Sequence, residues 1–175
     1  MSAVVRPHVI TTLTDQHLVE GFDCGEPARN LWLVTRALSN QRSDDTRTYV
    51  AADGDKVLAF HAITVGSILR ASLTAALRKN APDPVGCVLL GQLAVSVGLQ
   101  GQGLGREMVL HAMQQALKIA GLAGCRLFAT HPARPDLVAY YEKFGFVRVD
   151  ATPALMAMRM GKVRAILDAV EAAKT

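Results

Sequence analysis

Apolar positions along the chain alternate between short continuous runs and stripes at helical spacing, and their order predicts an α/β protein. Val9 to Leu13 predicts a first short strand, and Thr14 and Asp15 suit the cap of a short helix from Gln16 to Glu20. Phe22 to Pro27 reads as a turn. Pro27 then fits the first turn of a second helix, in which Leu31, Val34 and Leu38 recur at helical spacing before polar Asn40 to Asp45 ends it. Arg47 to Ala52 predicts a strand, Asp53-Gly-Asp55 a hairpin turn and Val57 to Val65 the returning strand. Arg70 to Pro84 is a polar, proline-containing excursion, expected to be a mobile loop with a helical turn. Val85 to Val97 is nearly all apolar, as in a strand covered on both faces.

A long helix is predicted from Leu104 to Ala120, with Met108, Ala112, Ala116 and Ile119 inward. Glu107, His111, Gln114, Gln115 and Lys118 form its wet face, and Gly121 and Gly124 close it. Cys125 to Thr130 predicts another strand. Pro135 opens a shorter helix that Gly145 ends, and Phe146 to Val149 with Leu155 to Met160 reads as a final hairpin. From Lys162 on, Val163, Ile166, Leu167 and Val170 share one helical face. Strand–helix–strand units predict parallel pairing and hairpins predict antiparallel pairing, so the sheet is expected to be mixed and flanked by helices.

Composition narrows the class. The 175 residues, half of them hydrophobic, suffice for a sizeable core. Neither repeat nor linker divides them, so residues 1–175 are expected to form a single domain, with residues 162–175 as an add-on helix. A net charge of +4 and a pI near 9.2 suit an anionic partner such as a nucleotide cofactor, RNA or an acidic protein. Cys24, Cys87 and Cys125 are odd in number and lack C-x-x-C spacing, so neither a disulfide framework nor a metal site is expected. There is no apolar run of signal-peptide or membrane-spanning type, so a cytoplasmic protein without membrane contact is expected.

The densest chemistry lies where the apolar strand meets the long helix, in Leu93-Ala-Val-Ser-Val-Gly-Leu-Gln-Gly-Gln-Gly-Leu-Gly-Arg106. Glycines at a helix N-terminus leave amide N–H groups bare, and the orphan donors and helix dipole together attract phosphate. The spacing of Gly101, Gly103 and Gly105 does not continue as G-x-G-x-x-G, and no Gly-Lys-Ser/Thr follows, so dinucleotide and P-loop motifs are excluded.

Gln100, Gly103 and Gly105 instead give the pattern Gln/Arg-x-x-Gly-x-Gly/Ala, which resembles the acyl-CoA signature of the GCN5-related N-acetyltransferase (GNAT) family. Val138-Ala-Tyr-Tyr-Glu-Lys-Phe-Gly-Phe146 resembles the same family's late helix and following strand. Phe22-Asp-Cys-Gly25, Leu31-Trp-Leu33, Ala37, Asn40-Gln41, Arg47-Thr-Tyr-Val50 and Leu90-Gly-Gln-Leu-Ala-Val95 resemble its branch of acetyltransferase toxins from type II toxin–antitoxin pairs. Gln92 and Ser96 stand where that branch commonly carries arginine and aspartate, and His131-Pro-Ala-Arg-Pro135 departs from the usual lead into the late helix.

The resemblance implies a GNAT fold, with a mostly antiparallel mixed sheet whose central strands splay. It implies acetyl-CoA as co-substrate, its pyrophosphate held by backbone N–H groups of Gln100, Gly101, Gln102, Gly103, Leu104, Gly105 and Arg106. It also implies that main-chain groups of Leu93, Ala94 and Val95 are free for the pantetheine arm. Tyr141 is the candidate general acid, because a phenol with a pKa near 10 is protonated at neutral pH and can donate to the departing thiolate. Read from residues alone, Leu137, Tyr141 and Phe144 equally form a core face, and Tyr140 points elsewhere.

The implied reaction is acetylation of the α-amine of aminoacyl-tRNA, which blocks translation. The implied partners are that tRNA, a ribbon–helix–helix antitoxin of DNA-binding type, and a second copy in a homodimer. An N-acetyltransferase for a small amine or protein N-terminus, and a non-catalytic CoA-sensing module, are the alternatives. The sequence places no obvious general base, which suits an α-amine of pKa near 8 or below better than a lysine near 10.4. Arg29, Arg36, Arg42, Arg47, Arg70, Arg78 and Lys79 are candidate phosphate contacts, with a solvated face as the plain alternative. His61, on an apolar strand, is either a satisfied core residue or part of an acceptor cleft.

Overall fold

A computed structural model describes residues 8–149 and 154–175; residues 1–7 and 150–153 of the expected single domain lie outside the described residues. The chain divides into two compact units, residues 1–63 with 92–112 and residues 64–91 with 113–175. The strands are β1 Ile10–Thr12, β2 Arg47–Asp53, β3 Lys56–Ile68, β4 Val85–Val95, β5 Leu127–Thr130, β6 Val147–Val149 and β7 Leu155–Arg159. Their hydrogen-bonded order is β1-β2-β3-β4-β5-β7-β6. The pair β4–β5 is parallel, while β1–β2, β2–β3, β5–β7 and β6–β7 are antiparallel. A mixed, mostly antiparallel sheet with helices is therefore what the chain builds, as its hydrophobic pattern predicts.

In the first unit, the two-residue period of β2 and β3 sorts side chains onto two faces. Val50 opposes Phe60, and both are buried with Leu13, Phe22, Leu33, Ala37 and Val57. Ala51 opposes Ala59, and these pack with Leu104 and Met108 at the start of the long helix. The helical layer on the first face runs as α1 Pro27–Trp32, a π turn Leu33–Ala37 and α2 Leu38–Arg42. Trp32 stacks on Phe60 at 5.9 Å between centroids, and Phe22 meets the same ring edge-on at 5.5 Å.

Two expectations fail here for tertiary reasons. Leu33 and Ala37 carry the burial, while Leu31 is 62% exposed and Val34 43%; the wider π turn breaks the 3.6-residue spacing on which the expected stripe of Leu31, Val34 and Leu38 rested. The short helix from Gln16 to Glu20 is absent. Leu18 instead bridges the end of the hairpin, donating its N–H to Asp55 O at 2.7 Å and accepting from Val57 N at 3.2 Å.

In the second unit, the stretch after β3 is not loose. It forms a 3-10 turn Arg70–Ser72 and α3 Ala75–Arg78 capped by Thr74, and it buries Leu73, Leu77 and Ala81 against Val85, Leu127, Leu155 and Ala157. Its polar residues face out and its few apolar ones anchor it, so the expected mobile loop is a packed part of the core. The long helix α4 Leu104–Ala123 outruns its expected end: Gly121 lies inside it, and Gly124, at φ +73°, terminates it. α5 Asp136–Glu142 ends before Gly145, at φ +103°. α6 Met160–Ala172 docks through buried Met160 and Val163, with Ile166, Leu167 and Val170 half-buried on the expected face.

The inward face of α1 and the π turn gives a direct test. Leu33→Ala is expected to destabilise the protein by ~2–5 kcal/mol, and Leu31→Ala by no more than ~0.5 kcal/mol, in urea titrations followed by far-UV circular dichroism. Equal losses at both positions would restore the stripe expected from spacing.

Candidate active site

All the candidate cofactor residues fall in the first unit, and their geometry is set by how β4 ends. After Val95 the chain makes a 3-10 turn Val97–Leu99 rather than continuing as strand, and Gly101 and Gly103 follow at φ +75° and +92°. These left-handed conformations require glycine whether or not anything binds. A Cβ at either position would meet no atom within 4 Å, and both residues are exposed. Gly103 O accepts the Glu107 N–H at 3.1 Å, so α4 starts at Leu104 and the amides of Leu104, Gly105 and Arg106 form its first turn, which the helix cannot itself satisfy.

Gln100 plays a different part from the expected one. Its backbone N–H donates to Val97 O at 3.4 Å, and its side-chain amide donates to Cys24 O at 2.9 Å and Val95 O at 3.0 Å. Gln102 similarly donates to Gly98 O at 3.1 Å. The partner of Gln100 is the Phe22–Pro27 turn, a closed network. Asp23 accepts from Gly25 N at 2.8 Å and from the Asn30 amide at 2.9 Å, while Asn30 Oδ1 accepts from Cys24 N at 2.9 Å. The Gly25 N–H and then the Asn30 amide hold the Asp23 carboxyl below its ordinary value. Val97 N–H donates to Asp23 O at 2.9 Å, which joins the turn to the end of β4.

β4 pairs with β5 from Cys87↔Leu127 to Leu90↔Thr130 and then runs on to Val95. Leu93, Ala94 and Val95 thus lie past the last parallel partner, consistent with the expected splay. Their carbonyls are less free than expected. Leu93 O accepts from Arg29 Nη1 at 2.6 Å and Val95 O accepts from Gln100. Arg29 also pairs with Glu26 at 3.3 Å, its side chain mostly buried, so it is a strand-end anchor rather than an outward phosphate contact.

Tyr141 lies in the second unit. It is 4% exposed, on α5, with edge contacts to Phe146 at 5.6 Å and Tyr140 at 5.4 Å. Leu137 and Phe144 are only half-buried, so the helix sinks Tyr141 deeper than its supposed core companions. Burial, then the neighbouring Tyr141, pushes the Tyr140 phenol up to about 12. Burial likewise raises the Cys87 thiol to about 11, which makes it a packing residue rather than a nucleophile. Among the described residues no cluster of three or more His, Cys, Asp or Glu side chains could hold a metal, and no helix is long and apolar enough to cross a membrane.

Comparison with known proteins matches residues 11–146 to the acetyltransferase (GNAT) family. The tRNA-acetylating toxin of Mycobacterium tuberculosis is 31% identical over 167 residues, 95% of this chain and 99% of that protein. The solved structure of AtaT complexed with acetyl-methionyl-tRNAfMet is 25% identical with a TM-score of 0.83, covering 90% of this chain and 98% of that one. AtaTR bound with acetyl-CoA is 25% identical at a TM-score of 0.79, covering 90% and 96%. AtaT bound to acetyl-CoA and the C-terminus of the antitoxin AtaR shares the fold at 24% identity and a TM-score of 0.79, covering 91% and 97%.

His61 is fully buried, which excludes it from an open cleft, and His111, expected on a wet face, is half-buried. His61 Nε2 and His111 Nδ1 are 2.8 Å apart, and Tyr49 lies against both rings at 5.0 and 4.9 Å. Among the described residues His61 Nδ1 has no partner. A bare lone pair is cheaper to bury than an orphan N–H, so the pair is best satisfied with Nε2–H of His61 donating to His111.

Burial, and secondarily His111, lower His61 from 6.5 to about 3. The unfolded chain therefore binds this proton first. The stability contributed by neutral His61 is complete above pH 6.5 and is lost as pH falls towards 3. Thermal melts of the wild type from pH 7 to 4 should fall more steeply than those of His61→Phe, by up to ~1.4 kcal/mol per pH unit. Parallel pH profiles would refute that linkage.

Proposed function

The chain belongs to the acetyltransferase (GNAT) family, and from that premise we propose that it is the toxin of a type II toxin–antitoxin pair, acetylating the α-amine of aminoacyl-tRNA and so blocking translation. The observation that carries this reading is the extent of the likeness: a tRNA-acetylating toxin aligns with 95% of the chain, beyond the part any acetyltransferase must share. The likeness to AtaT, solved with an acetylated methionyl-tRNA, supports the same acceptor.

Acetyl-CoA is the acetyl donor, and the first unit fits it. Exposed glycines at positive φ let phosphate oxygens approach the backbone, and the first-turn amides of α4 supply donors. Gly101, Gln102, Gly103, Leu104, Gly105 and Arg106 are the proposed pyrophosphate cradle. Gln100 acts from behind by holding the turn. Leu93, Ala94 and Val95 are proposed to receive the pantetheine arm along the end of β4, Arg29 setting the strand end by its bond to Leu93 O.

In the proposed reaction the neutral α-amine attacks the thioester carbonyl and forms the C–N bond. Collapse of the tetrahedral intermediate breaks the C–S bond. Tyr141 gives its phenolic proton to the departing thiolate, the new amide nitrogen releases its extra proton to water, and water returns a proton to the Tyr141 phenolate. An ester-activated α-amine is already largely neutral near pH 7, so no strong base is required. Exposed Arg36, with Arg42 and Arg47 beside their weak surface ion pairs to Asp15 and Asp44, supply phosphate contacts of the uniform, salt-sensitive kind. A ribbon–helix–helix antitoxin and a homodimer, in the cytoplasm, complete the proposal; AtaT bound to the C-terminus of AtaR supports the antitoxin.

Purified protein is expected to acetylate aminoacyl-tRNA with acetyl-CoA, and its expression to stop protein synthesis in cells. Tyr141→Phe should lower kcat by ~10²-fold or more while the fold and the KM for acetyl-CoA stay near wild type. Gln100→Ala should instead raise that KM roughly tenfold with a smaller change in kcat, because it loosens the loop without touching the reacting atoms. Transfer to free amino acids or peptide N-termini with aminoacyl-tRNA left unmodified would replace this acceptor by the small-amine or protein-terminus one.

A further inference from the structure

The second unit contains a groove of about 790 Å³ that acetyl transfer does not use. Its floor is apolar, made by Leu77 on α3, Ala157 and Met158 on β7 and Met160 at the start of α6, with Val147 of β6 on one side. Its rim is basic: Arg126, Arg159 and Lys162 line it, and among the described residues no acidic one does. Among the described residues none of these three cations has a carboxylate within ion-pair distance.

The cations are held rather than trailing in solvent. Arg126 Nη1 donates to Lys79 O at 3.5 Å, and Arg159 Nη2 donates to Ala76 O and, at 3.4 Å, to Lys79 O. The backbone carbonyl of Arg126 accepts the Met160 N–H at 2.9 Å, fixing the start of α6 against β5. Lys162 lies over Gly145 so closely that a Cβ there would stand 2.7 Å from its Cε. A guanidinium has five donors, and each arginine spends only one or two of its own internally. The rest stay available around a concave apolar floor, with much of the ordering cost of binding already met.

From this juxtaposition we propose that the groove is a docking site for an acidic, apolar segment of a partner protein. An apolar surface rimmed by polar residues is the usual form of a protein contact, and a rim of one sign selects the opposite charge. Among the described residues no aromatic one lines the groove, so these offer no stacking platform for nucleic acid bases. Its concavity suits an inserted chain better than a lipid surface.

The test uses full-length protein and a short fluorescein-labelled peptide alternating leucine and glutamate, read by fluorescence anisotropy. Saturable binding is expected, at least about tenfold tighter than to serine–glutamate or leucine–lysine alternating peptides. Lys162→Glu and Val147→Glu, both at exposed positions, should each weaken it by about tenfold or more while thermal melting and acetyl transfer stay as in the wild type. Because acetyl transfer is measured on the same variants, loss of docking is separable from failure of the proposed reaction. Equal affinity for the serine–glutamate peptide, indifference to both substitutions, or co-sedimentation with phosphatidylserine vesicles that the substitutions abolish would each overturn the proposal.

Discussion

One side-chain amide satisfying two main-chain carbonyls fixes the glycine loop. A strand that stops beside a positive-φ turn leaves carbonyls that must find donors. Gln100 supplies them for Val95 and, across the gap, for Cys24. The Phe22–Pro27 turn is thereby a clamp, and its own rigidity comes from the ionised Asp23 carboxylate and the return bond from Asn30 Oδ1. Because Gly25 N–H and the Asn30 amide depress Asp23, the clamp keeps its charge into mildly acidic conditions and loosens only as pH falls through that lowered value. In the proposed cradle, this network holds the turn that leads into the first-turn amides of α4.

What could be read from the residues alone was whatever local chemistry decides. Pro27 opens α1, α4 starts at Leu104 behind the glycine-rich turn, and the strands of apolar character form. What could not be read depended on partners distant in sequence. His111 looks polar and solvent-facing by helical phase, yet buried His61, fifty positions away, claims it. Arg29 looks like a surface cation until Leu93 O, on another element, draws it in. Gln100 belongs to the acyl-CoA pattern, but its amide serves the protein, and only the position of Cys24 O reveals that. The excursion from Arg70 to Pro84 is polar by composition, and three buried residues, Leu73, Leu77 and Ala81, outweigh that composition.

The polar interior of the first unit follows the same logic at a higher cost. His61 and Tyr49 oppose each other on β3 and β2, so the strand period sends both rings to one face, where His111 meets them. A neutral, stacked and hydrogen-bonded pair is tolerable there; an imidazolium is not, which is why burial lowers His61 so far.

Acetyl transfer of this kind asks little of side-chain identity. In the proposed reaction the donor is held by backbone groups beside glycines, the strand end offers main-chain atoms, and one phenol carries the proton. A fold can therefore keep such chemistry while most of its sequence changes, which suits identities of 25–31% across nearly the whole chain. Choice of acceptor and partner carries no such protection, because it rests on exposed side chains. Gln92 and Ser96 flank the main-chain segment Leu93–Val95 without altering what its backbone supplies. The same reasoning applies to the basic rim of Arg126, Arg159 and Lys162: the groove's apolar floor is dictated by packing in the second unit, whereas the charge on its rim is not.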